Sequence, residues 1–243
     1  MRYSDQRSKR SGQKHVDEKM KNIDHNYWTG KYEGKDADNV NPDLRNTMRE
    51  LYGSKGFDFG IVRDYFSDSD KRNHYRPDGY SSYTSLSTNY VKRMPFRQKA
   101  VENNKELAER CYFLAGTIAG ELFFPARKLG CNTINQARGC NREINDMVHQ
   151  TLESIKKYYE KESRYYPIKR EIETYGYFFD SFDLFDEYIE YNFLQDHELL
   201  PKKFPTNEKE LVDFWKRSVD FMEARLRRIE EYAKQNGLLE YDQ

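Results

Sequence analysis

What this sequence lacks narrows it most. It has no run of about 18 apolar residues, so no segment is expected to span a bilayer. Its start, MRYSDQRSKRSGQKHVDEKM, is basic but has no apolar block behind the charges, which is unlike a secretory leader. Net charge is also missing. Lys plus Arg number 41 and Asp plus Glu number 41, so no global field draws the chain to nucleic acid or to an anionic membrane. Cys111, Cys131 and Cys140 are odd in number and have no CxxC spacing. A reduced, cytoplasmic setting is therefore expected rather than a disulfide framework. The 5 histidines form no pair at helical spacing, so no metal site is expected. P-loop, dinucleotide fingerprint, nucleophile elbow and HExxH are all absent, and no enzyme class declares itself.

Aromatics and charges are what the chain has in plenty. With 20 tyrosines and 15 phenylalanines, the core is expected to be built largely from rings. That composition argues against disorder. Residues 1–34 are polar, with Arg2, Arg7, Lys9, Arg10 and Lys14, and read as a basic, partly flexible arm. Residues 35–243 read as a single helical domain. Turn signals such as RPDGYSS punctuate 35–95, where one short helix is expected from Pro42 and ends at Gly53. Helical spacing then predicts helices over 97–123, 134–161, 167–177, 183–199 and 207–235. Asn207 with Glu210 marks the start of the last, and Gly237 its end. The expected fold is mainly α: a helical bundle-like core with an irregular, loop-rich N-terminal third.

One stretch, CNTINQARGCNREINDMVHQ at 131–150, concentrates hydrogen-bonding capacity. Thr133 and Gln136 have capping-box spacing, so a helix opens after Thr133. Asn135, Arg138 and Arg142 are three and four apart and share a face in a continuous helix, away from Ala137, Ile144 and Val148. Arg127 and Lys128 precede the start. Free N–H groups, a positive dipole end and arginine forks together suit an anion. In that reading Arg138 and Arg142 bind the charge, Asn135 and Asn141 orient it, and Arg127 and Lys128 steer. The competing reading is a polar staple, in which these groups satisfy nearby carbonyls and Asp146 pairs with Arg142. Elsewhere, Asp180, Asp183 and Asp186 recur every third residue as metal-type carboxylates, with Asp183 equally suited to cap the next helix. Arg225 falls on the buried stripe of the last helix, which predicts a paired or site-facing guanidinium.

The segments GKDADNVNPDLR, AGTIAGELFFP, TINQARGCNREI, TLESIKKYY, FLQD and KRSVDFMEARLRRI, in that order over roughly 35–230, resemble an uncharacterised family of bacterial and phage-borne proteins. It is a domain of unknown function and implies no reaction. The resemblance implies motif positions at Asp36, Asp38, Pro42, Arg45, Thr133, Asn135, Arg138, Gly139, Asn141, Arg142, Gln195 and Asp196. Together in space these would outline a polar pocket. Asp146-Met147 stands where the family pattern has Asp-Arg, so no role can rest on an arginine at 147.

Three functions follow as expectations. The first is a binding module for an anionic ligand, nucleotide-like or nucleic acid, in a mobile-element or defence setting. The second is an enzyme on a nucleotide or phosphoester, with Asp36, Asp38 and Asp196 as catalytic candidates beside Arg138. The third is a protein-interaction or inhibitor protein, using an exposed aromatic surface against a protein partner. No cofactor is indicated.

Overall fold

The computed structural model describes residues 50–56, 75–79, 96–115, 117–125 and 133–238. The expected basic arm and most of the helix expected from Pro42 lie outside the described residues. That helix is seen at 50–54, and it runs through Gly53; the left-handed residue is Gly56, at φ 79°.

The elements in order are β1 (Tyr75–Gly79), α1 (Arg97–Asn103), α2 (Lys105–Ala115), β2 (Glu121–Pro125), α3 (Ile134–Cys140), α4 (Val148–Tyr159), α5 (Lys169–Thr174), α6 (Gly176–Phe179), α7 (Phe185–Tyr191), a 3₁₀ turn (His197–Leu199) and α8 (Glu208–Gln235). The fold is mainly α. The two strands pair antiparallel, with Tyr75 opposite Pro125 and Gly79 opposite Glu121.

The organising element is α8. Its 28 residues make a rod of about 42 Å at 1.5 Å per residue. Leu211, Phe214, Trp215, Ser218, Met222, Arg225 and Ile229 are all buried, so one stripe at helical spacing faces inward. The start is where the sequence puts it: the Asn207 side chain accepts from the Glu210 N–H at 3.0 Å. Glu210 turns back to Thr206, whose N–H and hydroxyl it accepts at 2.8 Å each. Helices α1 and α2 pack against α8. Asn103 donates to Glu208 at 2.7 Å, and Arg110 pairs with Glu223 at 2.9 Å.

The helix expected over 97–123 is broken twice. At Asn104 the side chain donates to the Ala100 carbonyl at 3.1 Å, competing with the helix ladder. The second helix ends at Ala115, and Thr117 takes over with its hydroxyl on the Leu114 carbonyl at 2.7 Å. The chain then turns so tightly that a Cβ on Gly120 would stand 2.4 Å from the Ala115 backbone. Residues 121–125 follow as strand, with Leu122, Phe123 and Phe124 all buried. A short apolar run buried on both faces carries no period to tell strand from helix.

The helix expected over 134–161 is also two. Asn141 Oδ1 accepts from the N–H groups of Glu143 and Ile144, folding a local turn. Asn145 and Asp146 then take left-handed φ values of 50° and 62°, which Asn and Asp tolerate better than most residues. The expected helix over 183–199 shrinks to α7 and the 3₁₀ turn. Asp183 does not cap α7; the N-cap is Leu184, with no side-chain bond. Rings fill the centre. Tyr188 alone touches Tyr159, Phe178, Phe179, Phe182 and Phe185, with centroids 5.6–6.5 Å apart. No helix among the described residues is long and apolar enough to cross a membrane.

Arg225 is 1% exposed. Its Nη1 donates to the carbonyls of Ile118 (3.2 Å), Ala119 (2.8 Å) and Glu121 (2.7 Å), and its Nε donates to Asn192 at 3.2 Å. Arg225→Met keeps much of the volume and removes every donor. Buried carbonyls left unmade are each costly, so a loss of about 3 kcal/mol or more is expected. Urea denaturation, read as a fall in midpoint at constant slope, measures it.

Candidate functional site

The start of α3 forms as its sequence requires. Thr133 Oγ1 accepts from the Gln136 N–H at 3.0 Å, and Gln136 Oε1 accepts from the Thr133 N–H at 3.1 Å. The box therefore uses both groups. Arg138 is 0% exposed. Its Nε donates to the Thr151 hydroxyl at 2.8 Å and its Nη2 to the Asp146 carbonyl at 2.8 Å. The Asp146 N–H returns a bond to the Arg138 carbonyl at 3.2 Å. Arg138 thus clasps the turn after α3 and ties it to α4. Phe124 supplies a ring 6.0 Å from its guanidinium.

Because α3 ends at Cys140, Arg142 does not extend the Asn135–Arg138 face. It is exposed on the turn and makes no ion pair with Asp146 among the described residues. Asn135 is half-buried and makes no hydrogen bond there. Asn141 is spent on its turn. Arg127, Lys128, Asp36 and Asp38 lie outside the described residues. Of the sequence-predicted cluster, Thr133, Arg138 and Asn141 are thus engaged in holding the local fold.

Asp196 belongs to another place. It forms a two-point pair with Arg228 of α8, from Nε and from Nη2, the latter at 3.1 Å. That hydrogen-bonded guanidinium holds its carboxyl below the usual Asp range. A carboxylate so paired is a poor proton acceptor, and its partner is Arg228 rather than Arg138. Neighbouring His197 turns its Nδ1 to the Leu194 carbonyl at 3.0 Å. Asp180 accepts from the Tyr158 hydroxyl at 2.7 Å.

Among the described residues, two open concavities are lined by several charged side chains. A cleft of about 520 Å³ lies at the end of α8, lined by Lys55, Glu187, Glu190, Gln195, Arg228, Glu231 and several rings. Its carboxylates outnumber its cations, and Arg228 is already neutralised by Asp196. A groove of about 630 Å³ lies in front of the start of α8, lined by Lys202, Lys203, Phe204, Lys209, Glu210, Asp213 and Arg217. Here the balance reverses. Glu210 is used as a cap on Thr206, and Asp213 pairs with Arg217 at 3.6 Å. Lys202 reaches Glu198 at 3.4 Å, across the edge of the groove. Lys203 and Lys209 are exposed and make no ion pair among the described residues. Pro201 and Pro205 stiffen the loop, and Gln150 of α4 holds it by donating to the Lys202 carbonyl at 3.0 Å. The PKKFPTNEK stretch, basic and aromatic between prolines, was the sequence signal for this groove and was not read as one.

With this geometry in place, comparison with known proteins gives one result. The chain belongs to a family of unknown function, DUF6994, which it matches over residues 21–229. The match begins before residue 35, so part of the stretch read as an arm lies inside the family. No curated protein and no solved structure matches the chain.

Arg138→Ala is expected to cost about 2–4 kcal/mol, whereas Arg142→Ala should stay within about 0.5 kcal/mol, both by chemical denaturation. An equal, small effect of the two would remove the clasp. Asp196, with a lowered pKa in the fold, adds stability that is full above the unfolded carboxyl value of about 3.9 and is lost as pH falls through the folded one. The stability gap between the natural protein and Asp196→Asn should therefore close on acidification below about pH 4.

Proposed function

We propose that the chain is a binding module for a small anionic, nucleotide-like ligand, held in the groove before α8. The observation that carries this reading is the excess of cations there: Arg217 is matched by Asp213 and Lys202 by Glu198, which leaves Lys203 and Lys209 against Glu210, itself engaged by Thr206. The exposed positive end of a long helix adds to that field. Phe204 offers a half-buried ring and Phe214 an apolar floor, so a flat group and a charged one fit together. The site moves from the α3 start, where Arg138 is committed to the fold, to a groove where Lys203 and Lys209 make no ion pair among the described residues.

The enzyme reading has less support. Asp196 is the one described member of its carboxylate set, and it is locked to Arg228. A protein-interaction role would call for a broad apolar surface. The large hydrophobic side chains exposed among the described residues are Tyr165, Leu184 and Leu199.

ATP is the probe. Calorimetry at low salt should detect binding to the natural protein, weakened at least tenfold in Lys203→Ala/Lys209→Ala. Each exposed lysine–phosphate contact is worth up to about 1 kcal/mol, so two suffice. Arg142→Ala serves as the control and should bind normally. Absence of binding, or binding indifferent to the lysine pair, would discard the reading.

A further inference from the structure

The cleft at the other end of α8 contains a different kind of site. Lys55 Nζ sits 3.9 Å from the ring centroid of Phe193, 4.6 Å from that of Tyr191 and 5.2 Å from that of Tyr232. Phe193 and Tyr232 meet edge to face, with ring centroids 5.4 Å apart and planes inclined at 68°, so they form two sides of a corner. Glu187, Glu190 and Glu231 line the same cleft. Ring faces surrounding a cation, with carboxylates nearby, are the arrangement that recognises ammonium groups.

Backbone geometry points the same way. Phe193 follows α7 in the left-handed region, at φ 57°. The N–H of Leu194 closes onto the Ile189 carbonyl at 2.9 Å, as at a glycine-terminated helix. A bulky aromatic residue is disfavoured there, where glycine is the usual choice. Phe193 puts up with that backbone and, in return, sets its ring beneath the ammonium.

We propose that Tyr191, Phe193 and Tyr232 form a recognition cage for a methylated or quaternary ammonium group, filled in this structure by the chain's own Lys55. A primary ammonium has three N–H donors, and here it reaches the Tyr191 carbonyl at 2.5 Å and the Glu190 carbonyl at 3.5 Å. Burial pushes the Lys55 amine down to about 8. A quaternary ammonium has no N–H to leave unmade and presents more apolar surface to the rings. Lys55 therefore acts as a tethered competitor, and an external ligand binds by displacing it.

The probe is the tetramethylammonium ion, with sodium at equal ionic strength as reference. In the natural protein, saturating tetramethylammonium should move the Lys55 ε-carbon NMR resonance to the position of a solvated lysine. A resonance that stays in place overturns the proposal. In Lys55→Ala, calorimetric affinity should rise at least tenfold over the natural protein and disappear again in Lys55→Ala/Tyr232→Ala. Equal binding by the single and double variants also overturns it.

Discussion

A single buried guanidinium sets where much of this molecule lies. Arg225 is on the inward stripe of α8, and its donors collect carbonyls from the turn after α2, from the first residue of β2 and from the end of α7. These carbonyls lie where the chain passes between elements, at a helix end, a tight turn and the first residue of a strand, so regular ladders leave them acceptor capacity to fill. Only arginine presents enough donors in one plane to answer several at once. Burial draws its pKa down, with Tyr52, Tyr188 and Glu121 among the groups opposing that drift. The consequence reaches the surface. Asn192, held by Arg225 Nε, lies between Tyr191 and Phe193, so the same interaction that closes the core also positions two walls of the ammonium cage.

Arginines in this chain divide by what folding has already asked of them. Arg138 and Arg225 are fully buried and their hydrogen bonds run to backbone and to Thr151. Such groups are expensive to release, because freeing a guanidinium strands the carbonyls it served. A ligand would have to replace those bonds before gaining any of its own. Lys203 and Lys209 carry no such obligation, and their charge can be given to a ligand at the cost only of side-chain order. That difference, more than the number of polar residues in a segment, is why the proposed anion site lies at the front of α8 and not at α3.

The sequence made some of this legible and hid the rest for physical reasons. Terminal signals are local, so Thr133, Asn207 and Gly237 could be placed from neighbours three residues away, and the structure agrees at each. Arg225 was also visible, since a charge on a buried stripe must be paired. The breaks were not. Asn104 and Asn141 end helices through their side chains, and Asn145 and Asp146 turn the chain through left-handed backbone, none of which the apolar period registers. Leu122 and Phe123 were read as the end of a helix because a strand buried on both faces has no alternation. The Lys55 cage was out of reach altogether. Its cation and its rings lie far apart in sequence, and only the packing of 50–56 on α7 and α8 brings them together.

Zero net charge, read from composition, removes any global field toward nucleic acid or an anionic membrane. The fold shows why totals mislead. The basic groove sits at the start of α8 and the carboxylate-rich cleft at its end. Lys209 and Glu231 are separated along the helix by about 33 Å at 1.5 Å per residue. That is several times the screening length of about 8 Å in physiological salt, so neither charge cluster cancels the other's field. The helix dipole has the same sense, positive beside the lysines and negative beside the glutamates. Glu208 and Glu210 in the first turn oppose it, but Glu208 is held by Asn103 and Lys99, and Glu210 by Thr206. A neutral chain folded on this helix thus presents two concavities of opposite charge, and the field of each favours a ligand of the opposite sign independently of the other.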